Sequence, residues 1–258
     1  MGEFGRGVLY PHEQALRVDL RRCPPGAALR PFVEHYWHVR WRVREPYDTK
    51  VLSHPSVHLV FEEPEPLVYG VDRDLFVRRL EGEGQVLGVK FRPGCFRPLA
   101  GRPVIELADG RFPAAEFFGP ETAAANREVL GTSDTDLMAK TAEEFLLPRL
   151  PVPDPAAGEV AVMVERLTAA PAVFRVAQAA ELLHVSSRTL QRLFAEYVGA
   201  SPKWVLRRAR LHEAATRADR GAPVDWAALA DELGYYDQAH LVRDFTAAVG
   251  EPPARYAR

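Results

Sequence analysis

Two stretches in the last third of this 258-residue chain repeat one another. Ala180, Leu183 and His184 recur fifty positions later as Ala230, Leu233 and Gly234. Leu190, Arg192, Phe194, Val198, Gly199 and Pro202 recur fifty-one positions later as Leu241, Arg243, Phe245, Val249, Gly250 and Pro253. The change of offset puts one extra residue in the second turn. Repetition of this kind constrains a fold more than any single motif, because two copies of one local pattern must build the same supersecondary unit. Each copy reads as a helix, a short turn, a second helix and a Gly-x-x-Pro stop, the sequence form of a helix-turn-helix.

Apolar stripes at i, i+3, i+4, i+7 give the helices their inward faces. Val160, Met163, Val164 and Leu167 form the first stripe, Val176, Ala179, Ala180 and Leu183 the second, and Leu190, Leu193, Phe194 and Tyr197 the third. Ser186 precedes the third as its N-cap. A longer helix is expected from near Pro202 to about Asp219, ended by Gly221 and Pro223. Burying Leu190, Leu193, Phe194 and Tyr197 turns Arg188, Thr189, Gln191 and Arg192 outward. Burying Leu241 and Phe245 leaves Gln238, Ala239, Val242 and Arg243 on the matching face, with His240 at its edge. Arg matches the two acceptors of guanine and Gln the two groups of adenine, so these types suit base edges in a major groove. A lone helical pair with an exposed Arg reads as solvated surface, and such geometry also occurs in proteins that bind no nucleic acid. Two copies in register favour the DNA reading.

The string set SSRTLQRLF, YVGASP, RRARLHEA, LADELGYYDQAHLVRDF and VGEPPARY covers about the last eighty-five residues. In order and spacing it resembles the DNA-binding domain of the AraC/XylS family of regulators. The resemblance implies a seven-helix, all-α, non-enzymatic domain with two recognition helices joined by a long central helix. It implies base contacts from Arg188, Thr189, Gln191 and Arg192 in the first copy and from Gln238, Ala239 and Arg243 in the second. Backbone contacts would come from Ser186, Ser187, Lys203, Arg207, Arg208 and His240, some of which equally suit a solvated face. His184 stands where the first turn of the family usually has Gly, Tyr235 where the second has Phe, and Leu241 where Phe is common. Ala239 and Val242 leave the second helix few hydrogen-bonding groups, so the first is expected to supply most of the readout.

The front of the chain has a different period. HYWHVRWRV from His35, SVHLVFEE from Ser56, PLVYGVD from Pro66, FVRRL from Phe76 and QVLGVKF from Gln85 are short runs separated by Pro and Gly, the pattern of a small antiparallel β barrel or sandwich. Helical pattern follows from about Glu121, with Leu137, Thr141 and Phe145 on one side and Met138, Ala142 and Leu146 beside them. PRLPVPDPAAG marks a linker at 148–158. The expected class is therefore α+β in two domains, a β-rich 1–147 with trailing helices and an all-α 159–258 able to fold alone. In the resembled family the front domain is cupin-like and senses a small molecule or mediates dimerisation. Trp37, Trp41, His54 and His58 are the candidate wall of an effector pocket. His54, His58 and Glu62 are also of metal-binding type, as in a cupin enzyme, but the His-x-His spacing of a cupin metal strand is absent, so core or pocket residues are the preferred reading and no metal or cofactor is expected. A third reading makes the front half a docking module, with the Leu137, Thr141, Phe145 stripe as its surface.

A net charge of −2 does not advertise a nucleic-acid partner, yet Ser186 to Arg210 carries six basic residues against Glu196 alone, and the local patch is what a polyanion meets. Cys23 and Cys95 are too few for a disulfide framework and not spaced as a metal motif. No apolar run is long enough to span a membrane, and MGEFGRGVLY has no apolar h-region after a basic stretch, so neither a membrane span nor a secretory signal is expected. A cytoplasmic regulator is expected, with promoter DNA as partner, RNA polymerase and a second copy as further ones, and no catalytic residue.

Overall fold

The computed structural model describes residues 6–170, 172–221 and 223–257, so part of the run read for a secretory signal lies outside it. Among the described residues eight strands are formed: β1 (Val18–Cys23), β2 (Val33–Arg42), β3 (Tyr47–Leu52), β4 (His58–Phe61), β5 (Leu67–Tyr69), β6 (Leu75–Leu80), β7 (Glu83–Phe91) and β8 (Arg111–Pro113). The five apolar runs of the sequence become β2, β4, β5, β6 and β7. Six strands make one antiparallel sheet in the order β1-β2-β7-β4-β5-β8, while β3 pairs with β6 alone. Short helices α1 (Pro11–Gln14), α2 (Arg97–Ala100) and α3 (Ala115–Phe118) lie in the connections, and α4 (Thr122–Leu130) and α5 (Thr135–Leu146) follow.

Strand side chains alternate between faces, and here both faces of the large sheet have a use. Tyr36, Leu59, Phe61, Leu87, Val89 and Phe91 point to one side and form a core with Val129 of α4 and Met138, Ala142 and Leu146 of α5. The other side of the same strands, with Val39 and Val86, lines a cavity completed by Val51 of β3 and Phe76 of β6. On α5 the two apolar stripes separate: Met138, Ala142 and Leu146 are buried, Leu137 is half exposed, and Phe145 packs edge-on against Phe61. The docking stripe expected from Leu137, Thr141 and Phe145 is thus divided, since the sheet captures Phe145.

Among the described residues seven helices make the all-α part: α6 (Pro155–Thr168), α7 (Val176–Leu182), α8 (Ser187–Leu193), α9 (Pro202–Asp219), α10 (Trp226–Glu232), α11 (Gln238–Val249) and α12 (Pro253–Tyr256). The linker is shorter than the prolines suggest. Pro155 enters α6 in its first turn, where no N–H is needed, and the Asp154 carboxylate accepts from Ala156 N at 2.9 Å, so residues 155–158 are helical. The Gly-x-x-Pro stops have the same logic. Gly199 and Gly250 end the second helix of each copy with φ of 84° and 93°, and Pro202 and Pro253 start α9 and α12. Among the described residues no helix is long and apolar enough to cross a membrane.

Candidate nucleic-acid interface and internal cavity

Each second helix of a pair is held by its apolar face and by a side-chain cap. In the first unit Leu190 and Phe194 are fully buried with Val160, Val164, Ala180 and Val205. Ser186 Oγ accepts from Thr189 N at 3.0 Å. Arg188, Gln191 and Arg192 are consequently exposed and Thr189 is half-buried, its hydroxyl 2.9 Å from that of Ser186. A π turn over Phe194–Val198 widens the end of α8. In the second unit Leu241, Phe245 and Val249 face inward, Asp237 caps α11 through His240 N at 2.6 Å, and Gln238, Ala239, His240 and Arg243 are exposed. The base-facing residues expected from the sequence are therefore grouped on two helix faces, one in the unit that packs on Val205 and Leu206 of α9 and one in the unit that packs on Leu211, Ala214, Ala215 and Ala218.

The expected backbone contacts divide. Ser187 and Lys203 are exposed. Arg207 is spoken for by α11: its Nε donates to Asp244 Oδ1 at 2.6 Å, and Tyr235 OH donates to Asp244 Oδ2 at 2.8 Å. Arg208 is buried and turned away from both reading faces. Its Nη2 donates to Arg73 O at 2.7 Å, and its guanidinium lies over the Trp204 ring. Burial lowers its pKa to about 10, which leaves it charged. A phosphate role for Arg208 does not fit this position, because the front domain covers it. Sequence periodicity places Arg207 and Arg208 on α9 but carries no information on which face meets another domain.

That covering is extensive. Trp204 Nε1 donates to Arg73 O at 3.0 Å, Arg97 pairs with Glu196 at 2.6 Å, and Arg6 pairs with Glu213. Leu9 and Leu52 of the front domain are buried in one apolar cluster with Leu211, Leu229, Leu241 and Phe245. His212 of α9 bonds Leu52 O at 2.9 Å, and its ring meets the His54 ring edge-on at 4.4 Å. Burial keeps both imidazoles neutral, taking His212 down to about 3 and His54 well below the ordinary histidine range.

The cavity between the two sheets has a volume of about 440 Å³, and Trp37, Trp41, His54 and His58 all line it. Gly84 and Gly88 of β7 stand opposite Trp41 and Trp37 in the β2–β7 register. A Cβ at either glycine would run into the facing indole, so the rings lie across bare backbone. Over Gly88, Trp37 Nε1 reaches His58 Nδ1 at 3.0 Å. His58 is driven down to about 3, chiefly by burial and then by the Lys90 charge. His54 lies not on a strand but in the connection before β4, where its Nε2 is 2.8 Å from Arg6 O. Among the described residues no group of three or more His, Cys, Asp and Glu side chains is arranged to hold a metal ion. Lys90, His35, Glu34 and Ser56 also line the cavity. Glu34 and Lys90 do not stand out in the sequence because a charge inside a strand reads as an outward position, and Ser56 does not because it lies in the connection before β4.

Residues 179–258 match the model of a helix-turn-helix domain, and residues 21–113 match that of a domain of unknown function (DUF6597). No curated protein matches the chain. Among solved structures, a ligand-free ToxT variant from Vibrio cholerae is 10% identical, with 98% of this chain and 95% of that one covered and a TM-score of 0.41. Wild-type ToxT with bound unsaturated fatty acid is likewise 10% identical, with 100% and 97% covered and a TM-score of 0.40. With two capped units, seven helices and the family match in agreement, the C-terminal part of this chain is a DNA-binding helix-turn-helix domain of the AraC type.

Proposed function

We propose that this chain is a sequence-specific transcription regulator that reads promoter DNA with α8 and α11 and senses a small molecule in its β domain. The observation that carries the reading is the pair of exposed polar faces, Arg188, Gln191 and Arg192 on one and Gln238, Ala239 and Arg243 on the other. The joining helix of 18 residues is roughly 27 Å long. One turn of duplex is ~34 Å, so the two helices suit successive major-groove segments on one side of the DNA. Sensing is supported by the cavity, and its route to the DNA domain is short: His54, on the cavity wall, touches His212 on the helix that spaces the two reading heads.

Binding of the full chain to a library of single-base variants at two salt concentrations tests the reading. Arg192→Ala is expected to cost about 1–3 kcal/mol and flatten discrimination at one base position, and Arg243→Ala to do the same about one turn away. Arg207→Ala acts through Asp244 and α11, so it should weaken the site read by Arg243 and leave the salt slope unchanged. A drop of about one unit in that slope would instead make Arg207 a direct phosphate contact. If Arg192→Ala lowers affinity equally for every variant, or maps to the base pair read by Arg243, two-headed reading is wrong.

A further inference from the structure

The strand register sets out the floor of the cavity row by row, because paired residues of neighbouring strands share a face and alternate residues return to it. Val18, Trp41 and Gly84 form one row across β1, β2 and β7, and Leu20, Val39 and Val86 form the next. Arg22, Trp37 and Gly88 follow, with Val60 of β4 beyond them. Apart from Arg22 these rows are apolar. Trp37 and Trp41 are four residues apart on one strand, so the apolar strip between them runs about 14 Å. Both indoles lie over glycine, and both N–H groups are used: Trp37 donates to His58 Nδ1 and Trp41 to Glu81 O at 3.1 Å. Val51 of β3 and Phe76 and Leu80 of β6 complete the enclosure.

The charges on the wall are spent on one another. Six charged side chains line the cavity among the described residues. Lys90 Nζ bonds Glu34 Oε1 at 2.9 Å, Asp72 pairs with Arg111 at 2.7 Å, Arg78 pairs with Glu62 at 2.5 Å, and Arg6 pairs with Glu213. The sixth, Arg22, is exposed and keeps its hydration. Aromatic faces that would attract a cation are taken as well, since Arg78 lies over Trp41 and Arg111 over Tyr69 and Phe76. The Gln14 amide is saturated: its Nε2 donates to Leu9 O and Lys50 O at 3.0 and 3.2 Å, and its Oε1 accepts from Thr49 at 2.8 Å. An ion laid on the strip would shed its water and meet only counter-charges that are already paired, which disfavours it strongly. An uncharged apolar molecule gains from the same burial.

Resting on the sensing role proposed above, we infer that the cavity takes an uncharged, largely apolar small molecule laid along the strip from Trp37 over Val39 to Trp41. A volume of about 440 Å³ is in the range of small-ligand pockets.

The test uses the full chain near neutral pH and two matched sets of probes. One set is 1-naphthalenemethanol, 1-naphthoate and 1-naphthylmethylamine; the other is 1-decanol, decanoate and decylamine. Melting temperature reports binding, because a ligand of the folded state alone stabilises it, and titration calorimetry gives Kd. In at least one set the alcohol should raise Tm and bind about tenfold or more tightly than both ions, the charged members having to be desolvated without a partner. Val39→Lys puts an ammonium in the middle of the strip and should move the preference to the carboxylate by a similar factor. Ligand-free Tm and DNA binding report the fold of that variant, and Val51→Lys on the opposite wall takes its place should it fail to fold. A carboxylate or an amine that binds the unsubstituted protein as tightly as its alcohol would overturn the uncharged class while leaving sensing by the cavity in place. A folded lysine variant that still prefers the alcohol would overturn the placement on the strip. No shift with either alcohol would overturn the inference, and no shift with any of the probes would count against sensing too, while DNA binding on the same samples shows whether the regulator reading stands.

Discussion

The two helix-turn-helix units are built on one plan and anchored in different ways. The first closes its core from its own helices, Val160, Leu167, Ala180, Leu190 and Phe194 among them. It too packs on the front domain, through Arg97 on Glu196, Gly199 against Val104, and Ala200 and Trp204 in the front domain's core, but among the described residues no front-domain residue enters its own core. The second borrows Leu9 and Leu52 from the front domain to complete its core. The Tyr10 ring also packs at a tilt against Tyr256, centroids 4.6 Å apart, and Tyr10 donates its backbone N–H to that hydroxyl at 3.2 Å and bonds Glu251 through its own hydroxyl. Sequence repetition dictates the local unit, then, but not what the unit leans on. The unit whose own core is completed by the β domain is the second one, the one with fewer polar groups on its exposed face.

The strongest way to break this comparison is to remove the front domain. In a 159–258 fragment the second core loses two buried leucines, about 3–6 kcal/mol at 1.5–3 kcal/mol per side chain, and Arg208 and His212 lose their carbonyl partners on Arg73 and Leu52. The fragment is therefore expected to melt in two steps rather than in the single cooperative melt that a plain linker implies. Amide exchange should show α10–α12 unprotected while α6–α8 retain protection. Equal protection across both units would show that the second is as self-sufficient as the first.

A smaller effect tests the turns. Position 234 is a glycine with φ of 68°, and a Cβ there would run into the ring of Phe174, which lies on this turn from the segment between α6 and α7. Gly234→Ala must meet left-handed strain, ~1–2 kcal/mol, and displace the ring, ~1–3 kcal/mol when room is short. A loss of about 2–5 kcal/mol in urea unfolding is expected, together with weaker discrimination at the base proposed for Arg243. Unchanged stability would mean that Phe174 does not couple the two units.

How much of this was legible follows from what each pattern encodes. The repeat, the Ser186 cap and the inward Leu and Phe residues are local signals, and they place the two polar helix faces, whereas the count of seven C-terminal helices came with the family resemblance and the Asp237 cap is visible only in the structure. Strands with apolar alternation were equally plain. β1, with Arg21 and Arg22 in its middle, and β3, with Asp48, Thr49 and Lys50, were not, because their polar residues face solvent, a cavity or a two-stranded partner instead of a core. Trp37, Trp41, His54 and His58 stand out as a group by residue type, and the fold brings all four to one cavity. Nothing in the sequence announces that Arg208 is buried, that His212 meets His54, or that Gly84 and Gly88 bed the two indoles. Each depends on a register or an interdomain contact between residues far apart in the chain.

The finest contrast between the units is at position 184, the counterpart of Gly234. His184 also takes a left-handed backbone, φ 56°, at the end of the first helix of its pair, yet it is exposed. A non-glycine residue tolerates this conformation at ~1–2 kcal/mol, and the penalty is lighter for His than for a β-branched residue. His184→Gly relieves that strain but returns roughly 0.5–1 kcal/mol through the larger conformational freedom of glycine in the unfolded chain. The balance is a gain of about 0.5 kcal/mol, or roughly 1–2 °C in Tm for a chain of this size. The opposite signs expected at 184 and 234 separate backbone conformation, which the two turns share, from the ring packing that only the second turn has. Should His184→Gly destabilise the protein instead, the His184 side chain must contribute more to the first turn than its exposed position implies, and the two turns would differ in more than Phe174.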